Sequence, residues 1–162
     1  MSKPLYVGID NGASGAVALV RDGAIVSMFM LPVTKYKGRS ELVPKQFITL
    51  LQQHLKAAGA DQPRFILIEQ PGGSKSAKSA TVMAGVFHAI RAILDIYLYR
   101  WDRITPQKWQ DEMLGKNLEA GMTKPMALDT ASRLWPKEKF FPTPRAYTPD
   151  TGLVDAALIA EY

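Results

Sequence analysis

Short apolar runs separated by turn residues dominate the first part of the chain. Leu5 to Ile9 is a β-like run that ends in Asp10-Asn11-Gly12, and Ala16 to Val20 is a second run. Asp followed by Asn-Gly between two such runs predicts a hairpin, because Asn and Gly tolerate positive φ. Arg21-Asp22-Gly23 predicts another tight turn, followed by a third strand from Ala24 to Leu31. The pattern therefore predicts three consecutive antiparallel strands.

Helical spacing begins after a polar loop. Val33 to Leu42 is expected to form that loop, and a helix is predicted from about Pro44 to Ala58. Phe65 to Ile68 is a continuous apolar run, typical of a strand buried on both faces, and Glu69 directly continues it. The later predictions are a helix from about Ala77 to Asp95, a fifth strand at Ile96 to Tyr99, helices starting near Thr105 and Thr123, a proline-rich loop from Lys137 to Pro149, and a last helix from about Asp150 to the end of the chain.

This order of elements predicts an α/β fold with one mixed sheet. Three antiparallel strands are followed by helix, strand, helix and strand, which gives five strands flanked by helices, three antiparallel and then two parallel. The first and fourth strands are neighbours in a sheet of that order. No internal repeat or second domain is evident, so residues 1–162 are expected to form a single domain.

Composition narrows the possible chemistry. The chain has no cysteine and two histidines, which excludes disulfides, thiolate catalysis and Cys-type zinc sites and leaves little for histidine-based metal binding. Any metal is therefore expected on carboxylates, which favours Mg²⁺ or Mn²⁺. No run approaches the roughly 18 apolar residues of a membrane span, and a signal-peptide core is absent. We expect a soluble, cytoplasmic protein with no membrane partner.

Basic residues outnumber acidic ones by 20 to 15, which gives a net charge of +5. Such an excess suggests a polyanionic partner, although many basic proteins bind no nucleic acid. Four lysines in predicted loops and helix starts are candidates for contacts with DNA phosphates, and for any single one the alternative is a solvated face. These are Lys75, Lys78, Lys108 and Lys124.

Carboxylates follow or interrupt apolar segments. Asp10 and Glu69 stand at strand ends, and Asp155 lies in a helix that is apolar nearly all round, where a carboxylate needs a metal, a hydrogen bond or an ion-pair partner. If the two strands are adjacent, the three acids can converge, an arrangement that suits two divalent ions about 3.5–4 Å apart hydrolysing a phosphodiester. Alternatives remain open: Asp10 also fits turn chemistry, Asp155 an ion pair with an arginine, and Asp150 a helix cap.

These acids lie in motifs that resemble a known family. The chain is similar to the RuvC-type Holliday junction resolvases of the ribonuclease H-like superfamily, and above all to their short phage and poxvirus relatives. The motifs span nearly the whole chain in the family's order. They are Gly8-Ile9-Asp10-Asn11-Gly12 with Ser14-Gly15, Ile68-Glu69-Gln70-Pro71, Thr105 to Gln110, Leu134-Trp135-Pro136 and Asp150 to Tyr162.

The resemblance implies a ribonuclease H-like fold and an Mg²⁺-dependent endodeoxyribonuclease. Asp10, Glu69 and Asp155 would be catalytic ligands of two Mg²⁺ ions per active site, with Mn²⁺ able to substitute, and Asp150 would be the fourth ligand. The implied partner is branched DNA, above all four-way junctions, which a homodimer cuts by paired nicks. For a phage protein, the expected location is the cytoplasm of the host cell.

The chain departs from the family pattern at two positions. Bacterial relatives carry Asp or His three residues before the final Asp, where this chain has Gly152. Phage-like members often carry His five residues before it, and Asp150 fills that position. Gly72 stands where the bacterial enzymes use an aromatic residue to wedge the junction, so this chain has no ring at that position to stack on the junction.

Two other classes of protein remain as alternatives. Gly8 to Gly15 also resembles the phosphate-binding hairpin of sugar kinases and actin-like ATPases, but those proteins clamp a nucleotide between two such domains, and 162 residues hold one. The other alternative is a non-catalytic DNA-binding module of the same fold, in which the acids are structural. Asp155 on an apolar helix argues against it.

Overall fold

The computed structural model describes residues 3–12, 14–73 and 76–162. The strands are β1 (Leu5–Ile9), β2 (Ala16–Arg21), β3 (Ala24–Met30), β4 (Val33–Tyr36), β5 (Arg39–Leu42), β6 (Phe65–Glu69) and β7 (Trp101–Ile104). The helices are α1 (Pro44–Ala57), α2 (Ala77–Ile96), α3 (Pro106–Met113), α4 (Thr123–Leu134) and α5 (Thr151–Glu161).

Five strands form one mixed sheet in the order β3-β2-β1-β6-β7. The strands β1, β2 and β3 pair antiparallel, whereas β6 pairs parallel with β1 and β7 parallel with β6. Ile9 lies opposite Ile68 in the β1–β6 pair, so the residues that follow the two strands emerge at the same edge of the sheet. The predicted α/β class, strand directions and adjacency of the first and fourth strands are confirmed.

The prediction of a fifth strand at Ile96 to Tyr99 is wrong. Ile96 is the last residue of α2, and the strand β7 starts at Trp101. The helix ends in a turn in which Leu98 has φ +58° and the backbone N–H of Tyr99 donates to the carbonyl of Leu94. Four consecutive apolar residues do not distinguish a strand from the end of a helix and the turn that follows it, and here Ile96 and Leu98 are exposed.

The prediction of a polar loop at Val33 to Leu42 is also wrong, because this segment is the hairpin of β4 and β5. Lys37 and Gly38 form its two-residue turn with φ of +46° and +72°. The first hairpin is real, but Asn11 and Gly12 are not among the residues with positive φ. The Asn-Gly pair therefore predicted the correct hairpin, but the turn does not depend on positive φ at Asn11 or Gly12.

The helices cover both faces of the sheet. One face packs against α1 and α2 in a cluster that includes Phe47, Leu51 and Ile90. The other packs mainly against α5, with α3 and α4 outside it. Eight of the eleven residues of α5 are buried, which confirms a helix apolar nearly all round.

The helix α2 is long and apolar enough to cross a membrane, judged by length and composition alone. The expectation that no segment meets this standard therefore fails for α2. A core helix of a soluble protein can pass the same test, and five α2 residues pack into the core: Val86, Phe87, Ile90, Ile93 and Leu94.

Candidate active site

Asp10 directly follows β1 and is held by the turn that it begins. Its backbone N–H donates to the carbonyl of Ala16 at 3.1 Å, and the backbone N–H of Gly12 donates to its Oδ1 at 2.9 Å. Asn11 is fully buried, and neither end of its amide has a partner within the described chain. The turn is therefore held by the backbone and by the Asp10 carboxylate rather than by the Asn11 side chain.

Glu69 ends β6 on the neighbouring strand, at the same edge of the sheet as Asp10. The indole Nε1 of Trp109 donates to Glu69 Oε2 at 2.6 Å. Trp109 is fully buried on α3, whose first turn is capped by the Thr105 hydroxyl accepting from Lys108 N. The capped helix α3 thus holds the Trp109 indole in place, and the indole orients the Glu69 carboxylate.

Asp155 is brought to this edge by the close approach of α5 to β1. A Cβ added to Gly8 would stand 2.2 Å from the carbonyl oxygen of Ala156 and 2.4 Å from the backbone nitrogen of Ala160. Real Cβ atoms do not approach backbone this closely, so only glycine at position 8 permits the contact. Glycine at position 8 therefore allows α5 to lie directly against β1, and this close packing places Asp155 near the edge of the sheet where Asp10 lies.

Asp150 caps α5, and its Oδ1 accepts from the backbone N–H of Leu153 at 3.1 Å. A Cβ on Gly152 would stand 3.0 Å from Asp150 Oδ1, 3.3 Å from Asp10 Oδ2 and 2.2 Å from the carbonyl oxygen of Ser14. Asp150 is thus both a cap and a neighbour of Asp10. The contact with Ser14 also explains the departure at Gly152, since no side chain fits there.

Burial and mutual repulsion raise the pKa values of three of these acids. Burial raises the pKa of Asp155 to about 8, with further contributions from Asp10 and Glu69, against a lowering effect of Lys124. Burial, followed by repulsion from Asp10, raises the pKa of Glu69 to about 7, and the Trp109 hydrogen bond opposes this. Burial is also the main reason why the pKa of Asp10 is raised. The acids form one electrostatic cluster.

This negative charge has no salt-bridge partner in the described ranges. The ion pairs found there join Lys3 to Asp22 and Arg133 to Asp129, both on the exposed surface. The alternative interpretation of Asp155 as the ion-pair partner of an arginine at the edge of the core is therefore wrong for the described chain. An uncompensated carboxylate cluster favours either proton uptake or a cation.

Metal binding can be judged from the donor atoms. They are carboxylate oxygens, which are the ligands that Mg²⁺ and Mn²⁺ prefer. The raised pKa values of Glu69 and Asp155 show that these carboxylates lack a neighbouring positive charge sufficient to offset their burial. The Cβ position of Gly152 marks a point close to oxygens of both Asp10 and Asp150. No group of three Asp, Glu or His side chains in the described chain is, however, arranged to hold a metal ion. The donor set fits a divalent cation in its chemistry, and its side chains would have to converge further around one.

The four candidate lysines have different positions. Lys75 lies outside the described residues. Lys78 and Lys108 are exposed in the first turns of α2 and α3. Lys124 is exposed near the start of α4, lowers the pKa of Asp155, and lines with it a mainly apolar cavity of about 350 Å³. Contacts of these lysines with DNA remain a prediction.

Sequence reasoning missed the roles of Gly8 and Trp109. Both lie in the quoted motifs, but the apolar run that contains Gly8 predicts only a strand, and the motif from Thr105 to Gln110 predicts no partner for Trp109. A signal existed for the tryptophan, because a buried indole N–H needs an acceptor and the cluster supplies carboxylates. No comparable signal existed for Gly8, since its role depends on a helix about 150 residues later.

No family model matches the sequence, and no curated protein matches it significantly. Two solved structures share its architecture. RuvC of Thermus thermophilus in complex with a Holliday junction substrate matches with a TM-score of 0.60 and 15% identity, over 97% of this chain and 90% of that chain. A second T. thermophilus RuvC structure matches with a TM-score of 0.54 and 15% identity, over 96% and 90%. The chain therefore has a RuvC-like fold of the ribonuclease H type.

Proposed function

We propose that this chain is a divalent-metal-dependent endodeoxyribonuclease that cuts branched DNA and resolves four-way junctions by paired nicking. The observation that carries the proposal is the uncompensated carboxylate cluster of Asp10, Glu69 and Asp155 at one edge of a RuvC-like sheet. A fold alone does not identify a function, but a chemically matched site on that fold supports one.

The residues of the cluster would act by holding negative charge in a fixed place. Asp10 is anchored by the Gly12 N–H and Glu69 by the Trp109 indole, so both carboxylates are oriented before any ligand binds. The chemistry that Mg²⁺ supplies at such carboxylates is activation of water and stabilisation of the leaving oxygen of a phosphodiester. Because its raised pKa favours the protonated form of Asp155, a metal ion would have to compete with protons for this carboxylate below about pH 8.

Branched DNA is proposed as the substrate because of the fold and the charge together. The chain carries a net charge of +5, and one of the RuvC structures that share its fold contains a Holliday junction substrate. Paired nicks require two active sites, so the proposed active form is a homodimer. Light scattering of the chain alone and with junction DNA measures whether two copies are present.

Cleavage of labelled substrates tests the proposal. A four-way junction, a linear duplex and a single strand are incubated with Mg²⁺, Mn²⁺ or EDTA. We expect symmetric nicks in the junction alone, in Mg²⁺ or Mn²⁺ but not in EDTA. Nicking that persists in EDTA, or equal nicking of the linear duplex, would contradict it.

Variants then connect the activity to the cluster. Asp10→Asn and Asp155→Asn should abolish nicking and leave junction binding largely intact, because each removes an anionic oxygen with little change of shape. Asp129→Asn is the matched control, since Asp129 pairs with Arg133 on the exposed surface of α4. Near-normal nicking by either cluster variant at saturating metal would remove that residue from the catalytic set.

A further inference from the structure

The hairpin of β4 and β5 presents positive charge and an aromatic ring outside the acid cluster. Tyr36 and Arg39 lie opposite each other on either side of its turn. Tyr36 is 57% exposed, and Lys37 Nζ lies 5.4 Å from the centroid of its ring. Between residues 33 and 42, Glu41 is the one acid against three basic residues. The hairpin therefore combines an exposed aromatic ring with an excess of positive charge.

A cleft of about 450 Å³ separates this hairpin from the first turns of α2. Lys35 and Arg39 line it from the hairpin, and Lys78 and Ser79 line it from α2. Lys78 Nζ lies 3.8 Å from the point where a Cβ on Gly38 would stand, so the lysine contacts the turn of the hairpin. None of these three cations is in an ion pair within the described ranges. The cleft therefore attracts a polyanion.

The cleft adjoins the acid cluster across Ser14. This residue lines the cleft, and its carbonyl oxygen packs against Gly152 in the first turn of α5. Gly152 in turn adjoins the carboxylates of Asp10 and Asp150. One residue therefore separates the cleft from the neighbourhood of the acids.

We propose that the cleft between the β4–β5 hairpin and α2 binds the phosphates of one DNA strand, while Tyr36 stacks on an unpaired base of that strand. The choice of DNA as the occupant rests on the proposed nuclease function. The mode of binding follows from the cleft together with the exposed ring on the same hairpin, because proteins that hold single strands combine a positive groove with aromatic rings on which bases stack. The hairpin would thus recognise the unpaired region of a branched substrate, a role that Gly72 has no side chain to perform.

The phosphate contacts are tested by binding without cleavage. Affinity for a labelled four-way junction is measured in EDTA at several salt concentrations. Arg39→Ala and Lys78→Ala should each weaken binding several-fold and reduce the slope of log affinity against log salt by about one. Lys56→Ala, which removes an exposed lysine in the last turn of α1, is the matched control and should change neither quantity. Unchanged salt slopes in the first two variants would overturn the proposal.

The stacking contact is tested with Tyr36→Ala and Tyr36→Phe on a junction that carries 2-aminopurine at the branch point. The alanine variant should bind about fivefold to a hundredfold more weakly and lose the fluorescence change, whereas phenylalanine should retain both. Binding to a linear duplex should be the same in both variants. Equal junction binding by the alanine variant would overturn the stacking role.

These measurements separate the two proposals. A chain that binds the junction through Tyr36 but never nicks it would contradict the nuclease proposal and support this one. A chain that nicks the junction normally while the hairpin variants bind like the wild type would contradict only this one. Equal melting temperatures of the variants would show that they are folded.

Discussion

The two faces of the sheet bury their helices in different ways. On one face, α1 and α2 pack through large side chains such as Phe47 and Ile90. On the other, α5 lies directly against β1, with the backbone of Ala156 next to Gly8. Removing atoms from the side chains of the first face leaves cavities, whereas adding an atom at Gly8 on the second face creates a clash with backbone. Close approach rather than bulk is what brings a helix carboxylate to the end of a strand.

The faces also differ in the charge that they bury. The face of α1 and α2 has His54 at its edge, where burial lowers the pKa of the ring. The α5 face carries Asp10, Glu69 and Asp155, all with raised pKa values. Burying uncompensated carboxylates costs stability, which apolar packing elsewhere has to offset. The carboxylate cluster therefore lies on the α5 face, whose apolar packing must also offset its cost.

The largest expected effect comes from adding one methyl group to the α5 face. Gly8→Ala should destabilise the protein by about 3 kcal/mol or more, because both atoms that the new Cβ meets are backbone and cannot move aside. Gly85→Ala on α2 is the matched control. Nothing lies within 4 Å of a Cβ there, so this variant should gain about 0.5–1 kcal/mol. Urea unfolding of both variants measures the difference, and equal effects would contradict the comparison.

The next effect concerns the pH dependence of stability. Asp155 and Glu69 have folded-state pKa values of about 8 and about 7, above their ordinary values. The stability that these protonated carboxyls contribute is therefore fully present below their unfolded pKa values of about 4, falls progressively as the pH rises, and is lost once the pH has passed the folded-state values of about 7 and about 8. Metal-free protein should melt at a higher temperature at pH 5 than at pH 9. Asp155→Asn should remove part of this loss. Compared with the wild type, the free energy of unfolding of the variant should be about 1–3 kcal/mol higher at pH 9, with a much smaller difference at pH 5.

Divalent metal provides the control for this prediction. Mg²⁺ binding to the carboxylates should raise the melting temperature of the wild type more at pH 9 than at pH 5, because protons compete for the same oxygens. Asp155→Asn should respond less. A metal-free protein whose melting temperature rises steadily from pH 5 to pH 9 would contradict the cluster itself.

Most of the fold was accessible from the sequence because it depends on local patterns. The apolar runs of β1 to β3, with turn residues between them, and the continuous run of β6 predicted these strands, since both signals are local. The hairpin of β4 and β5 was missed because β4 is largely exposed and Lys35 interrupts its apolar residues. The start of β7 was misplaced because Ile96 still belongs to α2 and the apolar residues that follow it form a turn.

Part of the candidate site could likewise be predicted from the sequence, because some of its signals are local. Acids at strand ends and in an apolar helix can be recognised one residue at a time. The contacts that assemble them cannot, because Gly8 meets α5 and Trp109 meets Glu69 across long stretches of chain. Whether Asp150 caps a helix or adjoins the acids also depended on the tertiary structure, which shows that it does both.

A smaller effect is expected from the indole that holds Glu69. Trp109→Phe removes the donor to Oε2, so the pKa of Glu69 should rise further. If the carboxylate is needed for nicking, the rate at neutral pH should fall about tenfold and the midpoint of the pH profile should move to higher pH. Trp135→Phe is the matched control, since its Nε1 donates to the carbonyl of Gly23 instead. That variant should lose stability without moving the profile, and an equal movement in both would contradict the role of Trp109.

The smallest effect on stability is expected at Asp150, where capping and chemistry make different demands. Capping needs a side-chain oxygen that accepts from Leu153 N, so Asp150→Asn should leave the melting temperature nearly unchanged, while Asp150→Ala should cost about 0.5–2 kcal/mol. The repulsion that Asp150 exerts on Asp10 and Asp155 works against the cap, and Asn removes it.

Nicking rates of the same variants decide the second role of Asp150. If its carboxylate is a metal ligand, Asp150→Asn should cut the rate sharply despite normal stability, and Asp150→His should restore some activity because imidazole can also bind a divalent ion. If Asp150 only caps α5, the Asn variant should nick at the full rate and the Ala variant should lose activity only in proportion to its stability. Full nicking by Asp150→Asn would leave Asp10, Glu69 and Asp155 as the catalytic set.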